Sequence, residues 1–190
     1  MKQAAKAIAN GISLVFMFLP AACSGFGRAG SVFSFFAQWV CLFPGLPGNY
    51  LRIAYYFLTL RHCCLSSRIS FGSYVNRSGT TIAEGVYVGS WCVLGQCEIG
   101  ARTQIADHVQ IPSGRRQHSR DDDQRMQGAA AGSFGTVTIG ADCWIGTSAI
   151  VMENIGPRST VGAGAVVTKP VPADTVVAGN PARIISGPTV

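Results

Sequence analysis

From Ile69 onward, the hydrophobic positions of this chain recur with a period of about six residues. An aliphatic residue stands at nearly every sixth position, and Gly or Ala often follows it. In order, these positions are Ile69, Val75, Ile82, Val88, Leu94, Ile99, Ile105 and Ile111, then Ile139, Ile145, Val151, Ile155, Val161 and Val167. The spacing fits neither the period of a helix nor the two-residue alternation of an ordinary strand.

A six-residue unit with one buried aliphatic residue predicts a parallel β-helix. Each unit would form one short strand and a turn, and three units would close a triangular coil. The aliphatic side chains would point inward and stack on those of the next coil, while Gly, Ala and Ser would permit the sharp corners. We therefore expect a mainly β domain over residues 65–190, with about five coils.

The repeat stops between Ile111 and Ile139, where the charged stretch "PSGRRQHSRDDDQRMQGAAAGSFGT" intervenes. This interruption predicts an excursion loop over residues 113–136. A β-helix is a smooth prism with few pockets, and a loop that leaves one coil can reach a neighbouring prism and enclose a cleft. Reactive side chains are therefore expected on the loop, which carries His118 and Asp121.

Residues 1–64 lack the repeat and form an apolar leader, for which we expect helices. Uncharged runs cover residues 7–27 and 29–50, and each is close to the ~20 residues that a membrane span requires. The segment "NYLRIAYYFLTL", residues 49–60, predicts a third, amphipathic helix. Basic residues flank the two runs on both outer sides, which favours a hairpin that enters and leaves a membrane from the cytoplasmic side.

Two other interpretations of the leader stay open. Its helices could pack on the rest of the protein or on a partner subunit. The stretch "LPAAC", residues 19–23, also resembles a lipoprotein cleavage site. Pro20 stands where such sites prefer leucine, so a secretory signal is the least favoured of the three.

Composition and charge narrow the possible partners. Charged residues make up 13% of the chain, and the net charge is +6. No Lys/Arg run and no nucleic-acid-binding motif occurs, so no nucleic-acid partner is expected. The basic balance suits anionic partners, such as ligand phosphates or an acidic membrane surface. The seven cysteines include no C-x-x-C pair, which favours buried reduced thiols and no dedicated metal site.

Two segments of the repeat, "VTIGADCWIGTSAIVM" (137–152) and "VGAGAVVTKPVPADTVVAGNPARII" (161–185), resemble the hexapeptide-repeat acyltransferases. The similar branch contains the galactoside, maltose and serine acetyltransferases. The resemblance implies a left-handed β-helix and an O-acetyltransferase with acetyl-CoA as cosubstrate. The stretches "GLPGNYLRIAYYFLTL" and "IPSGRRQH" are further similar to a sub-branch that acetylates colanic acid or other exopolysaccharides.

The resemblance also implies roles for particular residues. A loop histidine takes the proton of the acceptor hydroxyl in this family, and an Asp often follows three residues later. The stretch "HSRD" matches with His118 and Asp121, and a backbone N–H of Thr147 would stabilise the oxyanion. Asp121 would orient the histidine or bind the acceptor. His108, in "IADHVQI", stays open as the alternative base.

For the cosubstrate, the matched motifs imply that Trp144, Thr147, Ala163 and Thr168 line the pantetheine arm, and that Lys169 and Arg183 contact the phosphates. The family works as homotrimers with shared active sites. The acceptor would be a sugar or a lipid-linked glycan of surface polysaccharide biosynthesis, at the cytoplasmic face of the inner membrane. The identity of the sugar and the acyl chain length stay open.

Two other functions use the same type of prism. A γ-class carbonic anhydrase needs three histidines around zinc. This chain has three histidines in all, and His62 precedes the repeats that begin at Ile69, so this function is disfavoured. A non-catalytic β-helix scaffold is the second alternative, and an assay of coenzyme A binding would distinguish it from the enzyme.

Overall fold

Three helices precede a parallel β-helix in the computed structural model, which describes residues 2–114, 122–126 and 134–187. The helices are α1 (Lys2–Cys23), α2 (Gly30–Cys41) and α3 (Gly45–Thr59). The strands that follow are two to four residues long and lie on three faces, which we call A, B and C. This is the architecture that the six-residue period predicts.

Each face of the β-helix is a ladder of parallel strands from successive turns. Face A consists of β1 (His62–Cys63), β4 (Thr81–Ile82), β7 (Cys97–Ile99) and β10 (Val137–Ile139). Face B consists of β2 (Arg68–Ile69), β5 (Tyr87–Val88), β8 (Gln104–Ile105), β11 (Trp144–Ile145), β13 (Thr160–Val161) and β15 (Val176–Ala178), with β16 (Arg183–Ser186) added antiparallel at its end. Face C consists of β3 (Tyr74–Val75), β6 (Val93–Leu94), β9 (Gln110–Ile111), β12 (Ile150–Val151) and β14 (Val166–Val167).

The core is a stack of the predicted aliphatic residues, which are all buried and in register. The β-helix has about six turns, one more than the spacing predicted. Cys63 takes the inward position of the first turn, and Val171 and Val177 take those of the last. A cysteine and a proline-rich stretch do not resemble the aliphatic repeat in sequence, so this additional turn was missed.

The glycines of the repeat are needed mainly because the backbones of neighbouring turns approach closely. The corners of the coil depend on glycine less. A Cβ on Gly140 would collide with the backbone of Pro157, and one on Gly146 would lie 2.6 Å from the nitrogen of Ala163. The corner positions with positive φ lie two residues later and are mostly not glycine; examples are Asp142 and Ser148, with φ of 58° and 59°. Small residues therefore follow the aliphatic ones because the next turn touches their backbone.

The leader differs in part from its prediction. The run at residues 29–50 is not one helix, because α2 ends at Cys41 and Pro44 is the N-cap of α3. The helix predicted at residues 49–60 is present as α3. Helix α1 packs mainly on α3. Among the described residues α1 alone is long and apolar enough to cross a membrane, by length and composition only.

Helix α3 joins the leader to the first turn of the β-helix. The Arg52 side chain is fully buried and donates hydrogen bonds to the carbonyls of Val40, Cys41, Phe43 and Ile69, at 2.7–3.3 Å. It thereby satisfies carbonyls at the C-terminal end of α2 and ties both segments to α3. The leader and the β-helix share one continuous hydrophobic core.

Candidate functional site

The two residues predicted to act as base and partner, His118 and Asp121, lie outside the described residues. The root of their loop is described. Gly135 donates a backbone hydrogen bond to Ser113, at 3.0 Å, and so closes the base of the excursion. The Gln96 amide reaches Thr136, also at 3.0 Å. The loop therefore leaves and rejoins the prism at one place.

That place lies on the edge between faces C and A, which we call edge CA. The residues that follow each inward residue of face C form this edge. Ser113 follows Ile111 in this way, and Thr168 and Lys169 follow Val167. The loop root and two of the predicted coenzyme A residues therefore share one edge, two turns apart.

The opposite side of face C is edge BC, where three other predicted residues lie together. Ser148 donates its backbone N–H to Asp107, and Gly164 donates to Thr147. This register stacks Asp107, Thr147 and Ala163 on successive turns, roughly 4.8 Å apart as neighbouring strands are, and it places His108 level with Ser148. All three residues are exposed. His108, the alternative base, is thus one turn from Thr147.

Edge BC leaves backbone donors available. Among the described residues, nothing accepts a hydrogen bond from the N–H of Thr147 or of Ala163. A free N–H on an exposed corner can stabilise an oxyanion or bind the amide carbonyls of a pantetheine arm. Trp144 lies on face B, three residues before Thr147, with 59% of its surface exposed. Its indole is available for contact with a ligand or a second subunit.

The two predicted phosphate-binding cations come together at the C-terminal end of the β-helix. Lys169 and Arg183 line one pocket of about 300 Å³, together with apolar residues that include Val167 and Ile184. Arg183 reaches this pocket because β16 folds back antiparallel on β15. None of the described lining residues is acidic. The pocket therefore suits an anionic group.

One chain does not bring all the predicted residues together. Thr147 and Ala163 lie on edge BC, whereas Thr168 and Lys169 lie on edge CA, and face C separates the two edges. A site that used both groups would need either the excursion loop laid across face C or an edge from another subunit.

The third edge, between faces A and B, carries ion pairs instead of ligand-binding groups. Arg102 makes two hydrogen bonds to Asp142, at 2.6 and 2.7 Å, and Arg158 makes two to Asp174, both at 2.6 Å. These hydrogen bonds hold the pKa of Asp142 and of Asp174 below its usual value. The carboxylates of Asp142 and Asp174 are thus paired with arginines.

Four cysteines of the β-helix, Cys63, Cys92, Cys97 and Cys143, have buried positions that disfavour nucleophilic roles. Burial raises the pKa of Cys63 and of Cys97 to about 12 in each case. A thiol with such a pKa is protonated at neutral pH and is a poor nucleophile. Within the described part of the chain, no group of three His, Cys, Asp or Glu side chains could hold a metal ion.

Sequence reasoning missed a basic cavity between the leader and the first turn. Arg28 and Arg77 line it, far apart in the sequence. A signal was available: the first acidic residue of the chain is Glu84. The cations that precede it are Lys2, Lys6, Arg28, Arg52, Arg61, Arg68 and Arg77.

Comparisons with known proteins agree with the fold and the repeat. The chain is 43% identical to the galactoside O-acetyltransferase of Escherichia coli over 51 residues, which cover 26% of this chain and 25% of that enzyme. It is 47% identical to a 2,3,4,5-tetrahydropyridine-2,6-dicarboxylate N-acetyltransferase of Staphylococcus aureus over 55 residues, 28% of this chain and 23% of that enzyme. The chain spans less than half the length of the curated relatives that it matches. No family model matches it.

A solved structure matches most of the chain. A hexapeptide-repeat-containing acetyltransferase of Vibrio cholerae, crystallised with acetyl coenzyme A, superposes with a TM-score of 0.58. The match covers 86% of this chain and 89% of that one, at 24% identity, so it concerns the fold. The repeat, the fold and the partial sequence matches together describe a hexapeptide-repeat β-helix protein that is similar, over parts of its length, to acetyltransferases.

Proposed function

We propose that this protein transfers an acetyl group from acetyl-CoA to a hydroxyl group of a sugar or glycan intermediate. The observation that carries the proposal is the pocket at the C-terminal end, where Lys169 and Arg183 offer two cations to one anionic ligand. The free N–H groups of Thr147 and Ala163 supply the donors that an acyl thioester and its pantetheine arm require. Supporting similarity comes from the galactoside O-acetyltransferase and the acetyl-CoA-bound Vibrio enzyme.

In the proposed reaction, His118 removes the proton of the acceptor hydroxyl as its oxygen attacks the thioester carbonyl. The negative charge that develops on the carbonyl oxygen is stabilised by the Thr147 N–H. The C–S bond then breaks, and the proton passes to the thiolate of coenzyme A. Asp121 orients the base or binds the acceptor. The products are the acetyl ester and coenzyme A.

The separation of the two edges supports a homotrimer. Edge BC of one prism and edge CA of its neighbour would together supply Thr147, Ala163, Thr168 and Lys169. In that arrangement the loop from edge CA faces edge BC of the next subunit, which would place its histidine near the Thr147 N–H. A shared site of this kind explains why the predicted residues do not meet within one chain.

A location at the cytoplasmic face of a membrane fits the leader. The exposed side of α1 is apolar, with Val15, Phe16 and Leu19 exposed by 77%, 68% and 71%. No acidic residue precedes Glu84, so every charged side chain of the leader is basic. Acetyl-CoA is available on the cytoplasmic side. We propose surface polysaccharide assembly as the pathway, with a lipid-linked glycan as the acceptor.

The decisive test substitutes each of the three histidines. Acetyl transfer from acetyl-CoA is screened against free and lipid-linked sugars by mass spectrometry. His118→Ala should lower kcat by ~10²–10⁴ with little change in coenzyme A affinity, because it removes a general base. His62→Ala, at the exposed position of β1, is the control and should act like the parent.

Two outcomes contradict this assignment. Near-full activity of His118→Ala with loss of activity in His108→Ala would move the base to edge BC. A parent protein that neither binds coenzyme A nor transfers acetyl would favour the scaffold function instead.

A further inference from the structure

A polar cavity of about 520 Å³ lies between the α1–α2 turn and the first turn of the β-helix. Its two charged residues are Arg28 and Arg77, and Ser31, Ser34 and Ser78 add hydroxyl groups. None of these residues belongs to the predicted acetyl-transfer machinery. The cavity is therefore separate from the predicted acetyl-transfer site.

The two arginines are held near each other by contacts of the backbone around them. The Ser78 hydroxyl donates to the Gly27 carbonyl at 2.7 Å, next to Arg28. Gly27 has φ of +87°, and a Cβ there would collide with the Thr59 carbonyl, so this approach requires glycine. The Arg77 guanidinium lies 3.9 Å from the centre of the Phe134 ring. The cavity is thus fixed by the fold and not by mobile side chains alone.

The charge of the cavity is uncompensated within the described structure. No described lining residue is acidic, and neither arginine has a carboxylate partner among the described residues. Guanidinium groups bind phosphate oxygens in a two-pronged geometry that lysine lacks. Helix α2 begins beside them at Gly30 and directs the positive end of its dipole to the same region. A ligand with two or more negative charges fits this environment.

The cavity continues toward the excursion loop. A second cavity, of about 370 Å³, shares Asn76 and Arg77 with the first and is also lined by Gln110, Ser113 and Phe134. Ser113 and Phe134 are close to the points where the loop leaves and rejoins the prism. A ligand anchored in the first cavity would therefore extend toward the loop that carries His118.

We propose that Arg28 and Arg77 bind the diphosphate of a glycosyl carrier, while its sugar occupies the second cavity beside the loop. This assignment rests on the proposed acetyl transfer to a sugar and adds the class of acceptor: a sugar held on a diphosphate. The diphosphate could belong to a lipid carrier or to a nucleotide. The exposed Phe26, two residues before Arg28, favours the lipid, since a prenyl chain would lie on the apolar surface there.

The test measures binding of inorganic pyrophosphate to the full-length protein by calorimetry, with coenzyme A present at saturation to fill the C-terminal pocket. Arg28→Gln and Arg77→Gln should each weaken pyrophosphate binding at least tenfold, as expected for a lost charged hydrogen bond. Arg61→Gln, which replaces an exposed cation outside the cavity, should stay within twofold of the parent. Circular dichroism verifies that each variant is folded.

Further probes distinguish the sources of the diphosphate. Tighter binding of geranyl diphosphate than of uridine diphosphate supports a lipid carrier, and the reverse order supports a nucleotide carrier. Absence of pyrophosphate binding by the parent, or parent-like binding by folded Arg28→Gln, overturns the site. Intact pyrophosphate binding without any acetyl transfer would overturn the proposed function and leave the anion site standing.

Discussion

At the residue scale, contact between turns explains the glycine that follows many of the inward aliphatic residues. Gly140 has no room for a Cβ, because the backbone of Pro157 in the next turn lies against it. Gly164 is a different case: its φ is +66°, but no atom lies within 4 Å of the position of an added Cβ. Substitutions at Gly140 and Gly164 therefore measure two different contributions to stability. Gly140 reports the cost of close approach between turns, and Gly164 reports the cost of left-handed backbone.

Substitution of these two glycines should show that separation. Gly164→Ala should lower the free energy of unfolding by about 1–2 kcal/mol, the usual cost of left-handed backbone for an L-residue. Gly140→Ala should cost about 3 kcal/mol or more, because the turns must move apart. Urea unfolding monitored by circular dichroism measures both. Equal losses, or a larger loss for Gly164→Ala, would contradict the close-approach explanation.

The cations of the C-terminal pocket lead to a second prediction at this scale. Lys169→Ala and Arg183→Ala should raise KM for acetyl-CoA more than tenfold, since each lost charged hydrogen bond costs about 1.5–3 kcal/mol. KM for the acceptor should change little. Steady-state kinetics with acetyl-CoA and its dephospho form measures the effect, and both variants should discriminate less between the two. The control is Arg158→Ala, which removes a cation from the edge between faces A and B. Equal use of both coenzymes by the parent would remove the phosphate-binding role.

At the element scale, the sequence predicted the β-helix well because every strand depends on one inward residue. This inward residue can be recognised within each six-residue unit, without knowing which turns lie next to it. It failed where Cys63 takes an aliphatic position, and in the leader, where α3 interrupts an uncharged run at Pro44. The positive charge of the first part of the chain was visible in the sequence, but the position of the Arg28–Arg77 cavity was not, because the Gly27–Ser78 contact brings distant segments together. Contacts between residues far apart in the sequence produce no repeating pattern from which they could be predicted.

The ion pairs of the edge between faces A and B allow a pH prediction. The pKa of Asp142 and of Asp174 is lowered in the fold by the arginines, so each contributes stability above its unfolded pKa and loses it as pH falls through its folded pKa. Asp142→Asn/Asp174→Asn should be slightly less stable than the parent at pH 7. This difference should shrink below the ordinary carboxyl pKa of about 3.9. Thermal unfolding between pH 7 and pH 3 measures it, with Asp122→Asn as the control. A difference that stays constant with pH would show that the pairs contribute no charge-dependent stability.

At the scale of the whole molecule, the leader is not a detachable tail. Arg52 binds carbonyls of α2 and of Ile69, and Tyr55 donates to the Phe33 carbonyl at 2.9 Å. Removal of α2 would take away the Val40 and Cys41 carbonyls, two acceptors of the buried Arg52 guanidinium, at a cost of about 1–3 kcal/mol for each group left unsatisfied. A truncation that removed α2 would therefore disturb the first turn and the Arg28–Arg77 cavity together. Tests of the leader require point substitutions on its exposed side.

The exposed side of α1 allows the membrane location to be tested in this way. Full-length protein should sediment with anionic lipid vesicles, and 1 M salt should weaken this binding without abolishing it, because salt screens charge and not apolar burial. The triple variant Val15→Gln/Phe16→Gln/Leu19→Gln should lose the salt-resistant fraction. The triple variant leaves Met17 and Ala21 unchanged, because these residues of α1 are buried in the fold. The matched control is Ile184→Gln/Ile185→Gln, two apolar residues of β16 that are exposed by 61% and 66%. If the parent stays in the supernatant with vesicles present, or if the triple variant changes the oligomeric state instead, the apolar side of α1 contacts another subunit and not a membrane.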